Sequence, residues 1–373
     1  MKKMLALLMS VCLLLGGVAA LAEEEADLAA LEAAGMEVEG IADDEEAVEA
    51  DGAVADITGM KPLYTARIKP FTANGTSIRM RTRQDGESDV VCAIDAWETV
   101  TVYAVYPSYV LAGYNGHVGY IIRTWVDENM TVLDPETTPP YGVVPSQFVA
   151  TLTETANIYS QPSLDADVNK IRPGAGSKIA ILEFVDGFAK VICWRSYGYI
   201  DARILTDLTV VSESLEPNSS DTPIAAFCSF FEYNTGNDGR CKNIVRACEL
   251  MTRTLQPGET LDFNSQIGPY RKSNGYYPAP VLIDGGSQLG YGGGTCQCSS
   301  TLYNTIRQLP DITILMRRPH GPGCAKYLPM HQDAAVGNSS LNLVFRNDCA
   351  YPIRILAEST GEGTLCIQIF REE

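Results

Sequence analysis

The chain has 373 residues, 46% of them apolar, and a formal net charge of −18. That length and apolar share suit two or three folded domains rather than a wholly disordered chain. The acidic balance argues against nucleic acid and anionic lipid as partners. Past residue 22 no run of about 18 consecutive apolar residues occurs, so no membrane partner is expected for the processed chain.

Lys2 and Lys3 precede an apolar run from Met4 to about Ala19, and Ala20-Leu21-Ala22 follows. This reads as a secretory signal peptide over residues 1–22, cut before Glu23. Met9-Ser10-Val11-Cys12 is a poor lipobox with too little apolar chain before it, so the expected location is secreted, extracellular or cell-wall associated. Residues 23–60 read as a disordered spacer: residues 23–51 hold 13 acidic side chains and no basic one, and such a segment repels itself and buries too little apolar surface to fold. Ten of the eleven cysteines remain after cleavage, and eight of those lie from Cys228 onward. Export permits disulfides, yet cysteine also serves as a small core residue.

Two segments then look alike, at 61–130 and 147–208. The first contains Ile78-Arg79-Met80-Arg81, Val100-Thr101-Val102-Tyr103, Val110-Leu111-Ala112 and Gly119-Tyr120-Ile121. The second contains Ala156-Asn157-Ile158-Tyr159, Lys178-Ile179-Ala180-Ile181-Leu182, Ala189-Lys190-Val191-Ile192 and Gly198-Tyr199-Ile200. Short β-rich runs between Gly, Asp, Asn and Pro predict small antiparallel barrels. The order, the closing Gly-Tyr-Ile and Asn157-Ile158-Tyr159-Ser160-Gln161-Pro162-Ser163 resemble the bacterial SH3-like (SH3b) domain. The second copy lacks the arginine of the usual motif, and the first lacks the Pro-Ser. The resemblance implies binding to peptidoglycan or another wall polymer. Residues 131–146 and 209–223, rich in Pro and in Ser, Glu and Pro, read as linkers.

The composition shifts near Ile224, and residues 224–373 carry the chemistry. Gly292-Gly293-Gly294 runs straight into Thr295-Cys296-Gln297-Cys298, and a helix is predicted over Ser299 to Leu309 with Leu302, Ile306 and Leu309 on one face and Pro310 ending it. A cysteine at a helix start sits at the positive end of the helix dipole, which favours the thiolate. Ile312 to Met316 is predicted as a buried strand, His320 follows it, and Asp333 stands in the next turn. Thiol, imidazole and carboxylate in that order suit acyl transfer: sulfur attacks, imidazole moves the proton and carboxylate orients the imidazole. Gly293 and Gly294 would then supply backbone N–H groups to an oxyanion.

Other readings of the same residues stand beside this one. Cys296 equally suits a buried thiol, half of a disulfide, or a zinc ligand with Cys298, His320 and Cys324. His320 equally caps a loop, and Asp333 equally serves as a turn residue. Arg240 suits an anionic ligand such as a peptide carboxylate, or a surface ion pair. Asn264, Gln297, Ser299 and Tyr303 suit site-lining groups, or partners for buried backbone. His331 reads as incidental.

Several motifs of this segment are similar to the VanW family: Arg240-Cys241-Lys242-Asn243-Ile244; Gln256-Pro257-Gly258-Glu259-Thr260-Leu261-Asp262-Phe263-Asn264; Gly275-Tyr276-Tyr277-Pro278-Ala279; the glycine–cysteine block through Tyr303; Arg318-Pro319-His320; and Tyr327-Leu328-Pro329-Met330-His331-Gln332-Asp333-Ala334-Ala335-Val336. The family has glycine at the place of His331 and an apolar residue at that of Cys298. The resemblance implies an exported cell-wall protein of the kind associated with glycopeptide resistance. The first expectation is a module in which this domain binds a wall component without turnover, with thiol-dependent acyl transfer and a zinc-stabilised domain as the alternatives, and no cofactor is expected. It marks Tyr327 with Arg240, Asn264, Gly293, Gly294, Gln297, Ser299 and Tyr303 as ligand-binding candidates. The expected fold is two small all-β barrels followed by an α+β domain.

Overall fold

The computed structural model describes residues 55–70, 77–212, 221–283, 286–320 and 325–372. The expected signal peptide, most of the acidic spacer and Cys324 lie outside them. No described helix is long and apolar enough to cross a membrane.

The first β unit comprises β1 (Tyr64–Arg67), β2 (Ile78–Arg81), β3 (Val90–Ile94), β4 (Thr99–Val105), β5 (Tyr109–Tyr114), β6 (His117–Ile122) and β7 (Thr131–Val132). The second comprises β8 (Phe148–Leu152), β9 (Lys178–Ile181), β10 (Glu183–Val185), β11 (Phe188–Cys193), β12 (Ser196–Asp201) and β13 (Leu205–Val210). Alternation of buried and exposed residues along β4 and β6 fits sheets with one face inward.

The two units share a device at the Gly-Tyr-Ile strand. A Cβ on Gly119 would lie 2.6 Å from the Arg81 carbonyl oxygen, and one on Gly198 would lie 2.4 Å from Ile158 Cγ2. Only glycine admits this approach of the crossing chain. The next residue then pairs with the crossing segment, Arg81 with Tyr120 and Tyr159 with Tyr199. A short 3-10 turn follows in each, at Arg123–Trp125 and Ala202–Ile204.

Backbone pairing does not close either unit into a ring among the described residues. The first is one sheet in the order β3-β2-β6-β5-β4-β1-β7, and the second is two sheets, β13-β8-β9 and β10-β11-β12. The expected barrels are open because, among the described residues, the end strands β3 and β7 of the first sheet do not pair and the two sheets of the second unit share no ladder. The 131–146 segment is also more than a tether, since it supplies β7 and puts Tyr141, 7% exposed, into the first unit's core.

The C-terminal unit comprises β14 (Ala225–Phe230), α1 (Asp238–Met251), β15 (Arg253–Leu255), β16 (Thr260–Asp262), α2 (Phe263–Gln266), β17 (Pro278–Ile283), β18 (Gly286–Tyr291), α3 (Thr295–Ile306), β19 (Ile312–Met316), β20 (Val344–Asn347), β21 (Ile353–Glu358) and β22 (Thr364–Arg371). Its main sheet runs β14-β22-β21-β15, and it is accompanied by β16-β20-β19 and the ribbon β17-β18.

The main sheet is covered on both faces. Leu365, Ile367 and Ile369 of β22 share a core with Ile244 of α1 and with Leu302 and Ile306 of α3. Ala226, Cys228 and Phe230 of β14, with Cys366, share a core with Val149, Ile181 and Val191 of the second β unit. The period-two alternation of a strand sends these sets to opposite faces. Full burial of one such large side chain contributes roughly 1.5–3 kcal/mol, so the second β unit is fused to the C-terminal sheet rather than tethered to it. All nine described cysteines are free thiols.

Candidate active site

The site begins with α3, which is buried on every side although it is rich in hydroxyl and amide groups. Such a helix is stable only when those groups are paired. Its left-handed N-cap, Gly294, has φ 107° and no side chain to cap the helix. A Cβ on Gly293 would lie 2.3 Å from the Pro280 carbonyl oxygen and 2.8 Å from Ala279 Cβ. Glycine there lets β17 press against the chain entering the helix. The Asn243 side chain, fully buried, donates to the Gly293 carbonyl at 3.0 Å and so fixes the entry.

The polar face of α3 binds the segment that carries the carboxylate. Ser299 Oγ donates to the Ala334 carbonyl at 2.5 Å, and Ser300 Oγ accepts from the Ala334 N–H at 2.9 Å. Asn304 Nδ2 donates to the Gln332 carbonyl at 2.6 Å. The backbone is therefore gripped on both sides of Asp333. On the far side, Arg317 Nε donates to the Asp333 carbonyl at 2.7 Å and Nη2 donates to the His331 carbonyl at 2.9 Å. Arg317 also meets Glu128 of the first β unit at 3.2 Å and the Asp333 carboxylate at 3.7 Å.

With its backbone fixed, Asp333 holds His320 twice. One carboxylate oxygen accepts the His320 backbone N–H at 2.6 Å and meets ring Nδ1 at 2.7 Å. The Cys296 side chain is near enough to the same ring to favour its protonated form. Burial works against the imidazolium, but the hydrogen bond to Asp333 and the nearby Cys296 outweigh it and hold His320 at about 10. Burial likewise disfavours the Asp333 carboxylate, and His320 with Arg317 outweighs it, so the carboxyl stays below its usual value. The His320 and Asp333 side chains are only 13% and 7% exposed, which shields the pair from solvent screening.

Cys296 is half-buried and exchanges weak bonds with Val336, donating to its carbonyl at 3.4 Å and accepting its N–H at 3.5 Å. It is the second residue of α3, so its own N–H has no acceptor four residues back within the helix. Tyr327 completes the surroundings: its hydroxyl lies 3.5 Å from Ser300 Oγ. Burial and the neighbouring Cys296 hold that hydroxyl well above its usual value, so it remains a neutral donor.

The remaining expected residues fall in two groups. Gln297 and Arg240 sit beside the site, joined by a 2.5 Å bond from Arg240 Nη2 to Gln297 Oε1, while Gln297 Nε2 donates to Ser229 Oγ at 2.8 Å. Asn264 and Tyr303 stand behind it. Asn264 spends its side chain on the Asn338 and Leu341 carbonyls, the Tyr270 hydroxyl and the Gly337 N–H. Tyr303 lies between the guanidiniums of Arg307 and Arg317, 4.9 and 5.1 Å from its ring centre. Cys298 is fully buried, its sulfur faces the Gly294 carbonyl at 3.6 Å, and burial pushes its thiol up to about 12. No cluster of three His, Cys, Asp or Glu side chains suited to a metal occurs among the described residues, and Cys324 of the zinc alternative lies outside them.

Sequence reasoning missed Arg317, Ser300, Asn304 and Glu128. The hydroxyls and amides of α3 were the available signal, because seven Ser, Thr, Asn and Gln residues lie on a helix whose apolar residues already mark it as core.

Residues 239–370 match a family model described as "VanW like protein", and over that span the C-terminal unit is similar to the VanW family. The chain is 27% identical over 232 residues to the uncharacterized protein YoaR of Bacillus subtilis (strain 168), covering 61% of this chain and 74% of that one. Among solved structures, the endolysin LysPBC5 CBD aligns with 39% of this chain and 94% of its own at 12% identity and a TM-score of 0.17. NlpC2 from Trichomonas vaginalis aligns with 83% of this chain and 98% of its own at 13% identity and a TM-score of 0.16. Scores this low carry no argument about fold or function.

Proposed function

We propose that this is an exported, cell-wall-associated protein whose C-terminal unit performs thiol-dependent acyl transfer on peptide amides. One observation carries the reading: the buried Asp333 carboxylate bonds the His320 ring, and the Cys296 side chain at the start of α3 lies near enough to that ring to favour its imidazolium. In the reaction, sulfur attacks the amide carbonyl and a C–S bond forms. The oxyanion is received by the Cys296 N–H. His320 passes its proton to the amine as the C–N bond breaks. Water or a second amine then attacks the thioester, His320 takes its proton, and the thiol is restored on release. Asp333 orients the imidazole throughout and offsets its charge.

The wall assignment rests on the apolar leader at residues 1–22 and on the repeated β units with their SH3b-like motifs. In this reading the β units bind peptidoglycan, and Arg240, held by Gln297 beside the thiol, faces the substrate.

The test uses the chain from Glu23 with purified peptidoglycan and its peptide fragments. Mass spectrometry should detect cleaved or exchanged peptides with the parent protein, and none with Cys296→Ser or His320→Ala variants that still fold. Sedimentation with insoluble peptidoglycan should be retained by both variants. Turnover by Cys296→Ser rejects the thiol reaction and leaves a binding protein; loss of sedimentation by the parent rejects the wall assignment.

A further inference from the structure

A separate cleft of about 330 Å³ opens where the end of the first β unit and the 131–146 segment meet the C-terminal unit. Its charge is unbalanced. Arg307 follows α3, donates to the Tyr141 carbonyl at 2.5 Å and stacks on Tyr303, yet it has no ion pair among the described residues. Burial and the nearby charges of Arg317 and Arg123 disfavour its guanidinium. Arg123, 1% exposed, bonds the Tyr141 hydroxyl at 2.6 Å and the Tyr106 carbonyl at 3.0 Å, and its Nη2 is buried without a partner. Among the described residues these three guanidiniums face Glu128, 3.2 Å from Arg317, and Asp333, which lies 3.7 Å from Arg317 and is shared with His320. His331, on the cleft wall, is held neutral by burial and the surrounding cations, at about 2.

A buried guanidinium without a counter-charge is costly, and an anion entering the cleft relieves that cost. The planar fork of arginine matches a carboxylate with two parallel bonds. We propose that this cleft binds a small carboxylate, of the size of a peptide's C-terminal residue, held chiefly by Arg307 with Arg317 beside it. Asn129, exposed at the rim, lies where an entering ligand passes. The site stands independently of any chemistry at Cys296. It adds a second recognition point on the other face of the segment that carries Asp333, since Arg317 belongs to both.

The experiment is titration calorimetry on the Cys296→Ser chain from Glu23, which removes turnover from the measurement. The ligands are N-acetyl-alanyl-alanine, its C-terminal amide and inorganic phosphate. The acid should bind, and the amide should bind at least about tenfold more weakly. Arg307→Gln should lose at least about tenfold in affinity for the acid, and Arg307→Lys should lose less. Asn129→Asp is the control that leaves Arg307's packing intact: it places a negative charge at the rim and should weaken the acid by about tenfold even if Arg307→Gln fails to fold. Equal binding of acid and amide, no binding of the acid up to about 10 mM, or unchanged affinity in Asn129→Asp overturns the proposal. Tighter binding of phosphate than of the acid assigns the cleft to phosphate-bearing ligands and overturns the carboxylate.

Discussion

Replacing Asp333 by Asn tests the core of the site with little change of shape. The carboxylate accepts from the His320 ring at 2.7 Å and from its backbone N–H at 2.6 Å, and the amide retains one acceptor oxygen but no charge. A hydrogen bond to a charged group contributes about 1.5–3 kcal/mol, and each pKa unit corresponds to about 1.36 kcal/mol. His320, held at about 10 in the parent, should therefore fall by about one to two units in Asp333→Asn. The same free energy enters the balance between the neutral Cys296–His320 pair and the thiolate–imidazolium pair. The pH at which the imidazolium beside Cys296 is lost should fall by about the same one to two units. The assay is the pH profile of Cys296 alkylation, read by mass spectrometry of the labelled peptide, with the His320 titration followed by NMR. A His320 titration and an alkylation profile between about pH 8 and 10 that both coincide with the parent's, in a variant that melts normally, would refute the coupling of Asp333 to the thiol through His320.

Three further outcomes follow from the same geometry. Because His320 is raised in the folded state, its contribution to stability is complete below its unfolded value near 6.5 and disappears as pH rises through about 10; the Tm difference between parent and His320→Gln should shrink steadily from pH 6 to pH 10, and a constant difference contradicts the titration. Asp333 acts in the opposite sense, its contribution being present above its unfolded value near 3.8 and lost as pH falls through its lower folded value. Gly293→Ala places a methyl group 2.3 Å from the Pro280 carbonyl oxygen and should cost about 1–3 kcal/mol in urea unfolding, with parental stability counting against the close packing of β17. A fragment of residues 61–208 leaves the second unit's core without Ala226, Cys228, Phe230 and Cys366, so it should melt well below the intact chain or aggregate, and an unchanged Tm would show that the shared core is not needed.

The local elements were largely legible and their closure was not. Ile312 to Met316 forms β19 over the same residues, but none of the five is buried and Leu315 is exposed, because the strand lies at the edge of β16-β20-β19; the Gly-Tyr-Ile runs lie in β6 and β12. Apolar periodicity reports such strands directly. The same rule placed the start of α3 at Ser299, whereas the helix begins at Thr295 and ends at Ile306. It counted Leu302, Ile306 and Leu309 and gave no weight to Thr295, Gln297, Ser300, Thr301 or Asn304. Those residues lie inside the helix because β14 and the Gln332–Ala334 segment supply their partners: Ser229 meets Thr301 at 2.7 Å across 72 residues, and Asn304 meets Gln332 at 2.6 Å across 28.

The same asymmetry governs the site. Cys296, His320 and Asp333 were legible because their order along the chain fits one kind of chemistry. Arg317 was not, because an arginine just past a strand has the same local signature whether it faces solvent or holds a carboxylate. Its role follows from a salt bridge to Glu128, 189 residues earlier, and from two backbone carbonyls that flank the His331–Asp333 turn. Chemistry-bearing residues are chosen for what they are, and their supports for where the fold brings them. Glu128 thus ties the first β unit to the arginine that fixes Asp333, so the geometry of the thiol site depends on how that unit is seated.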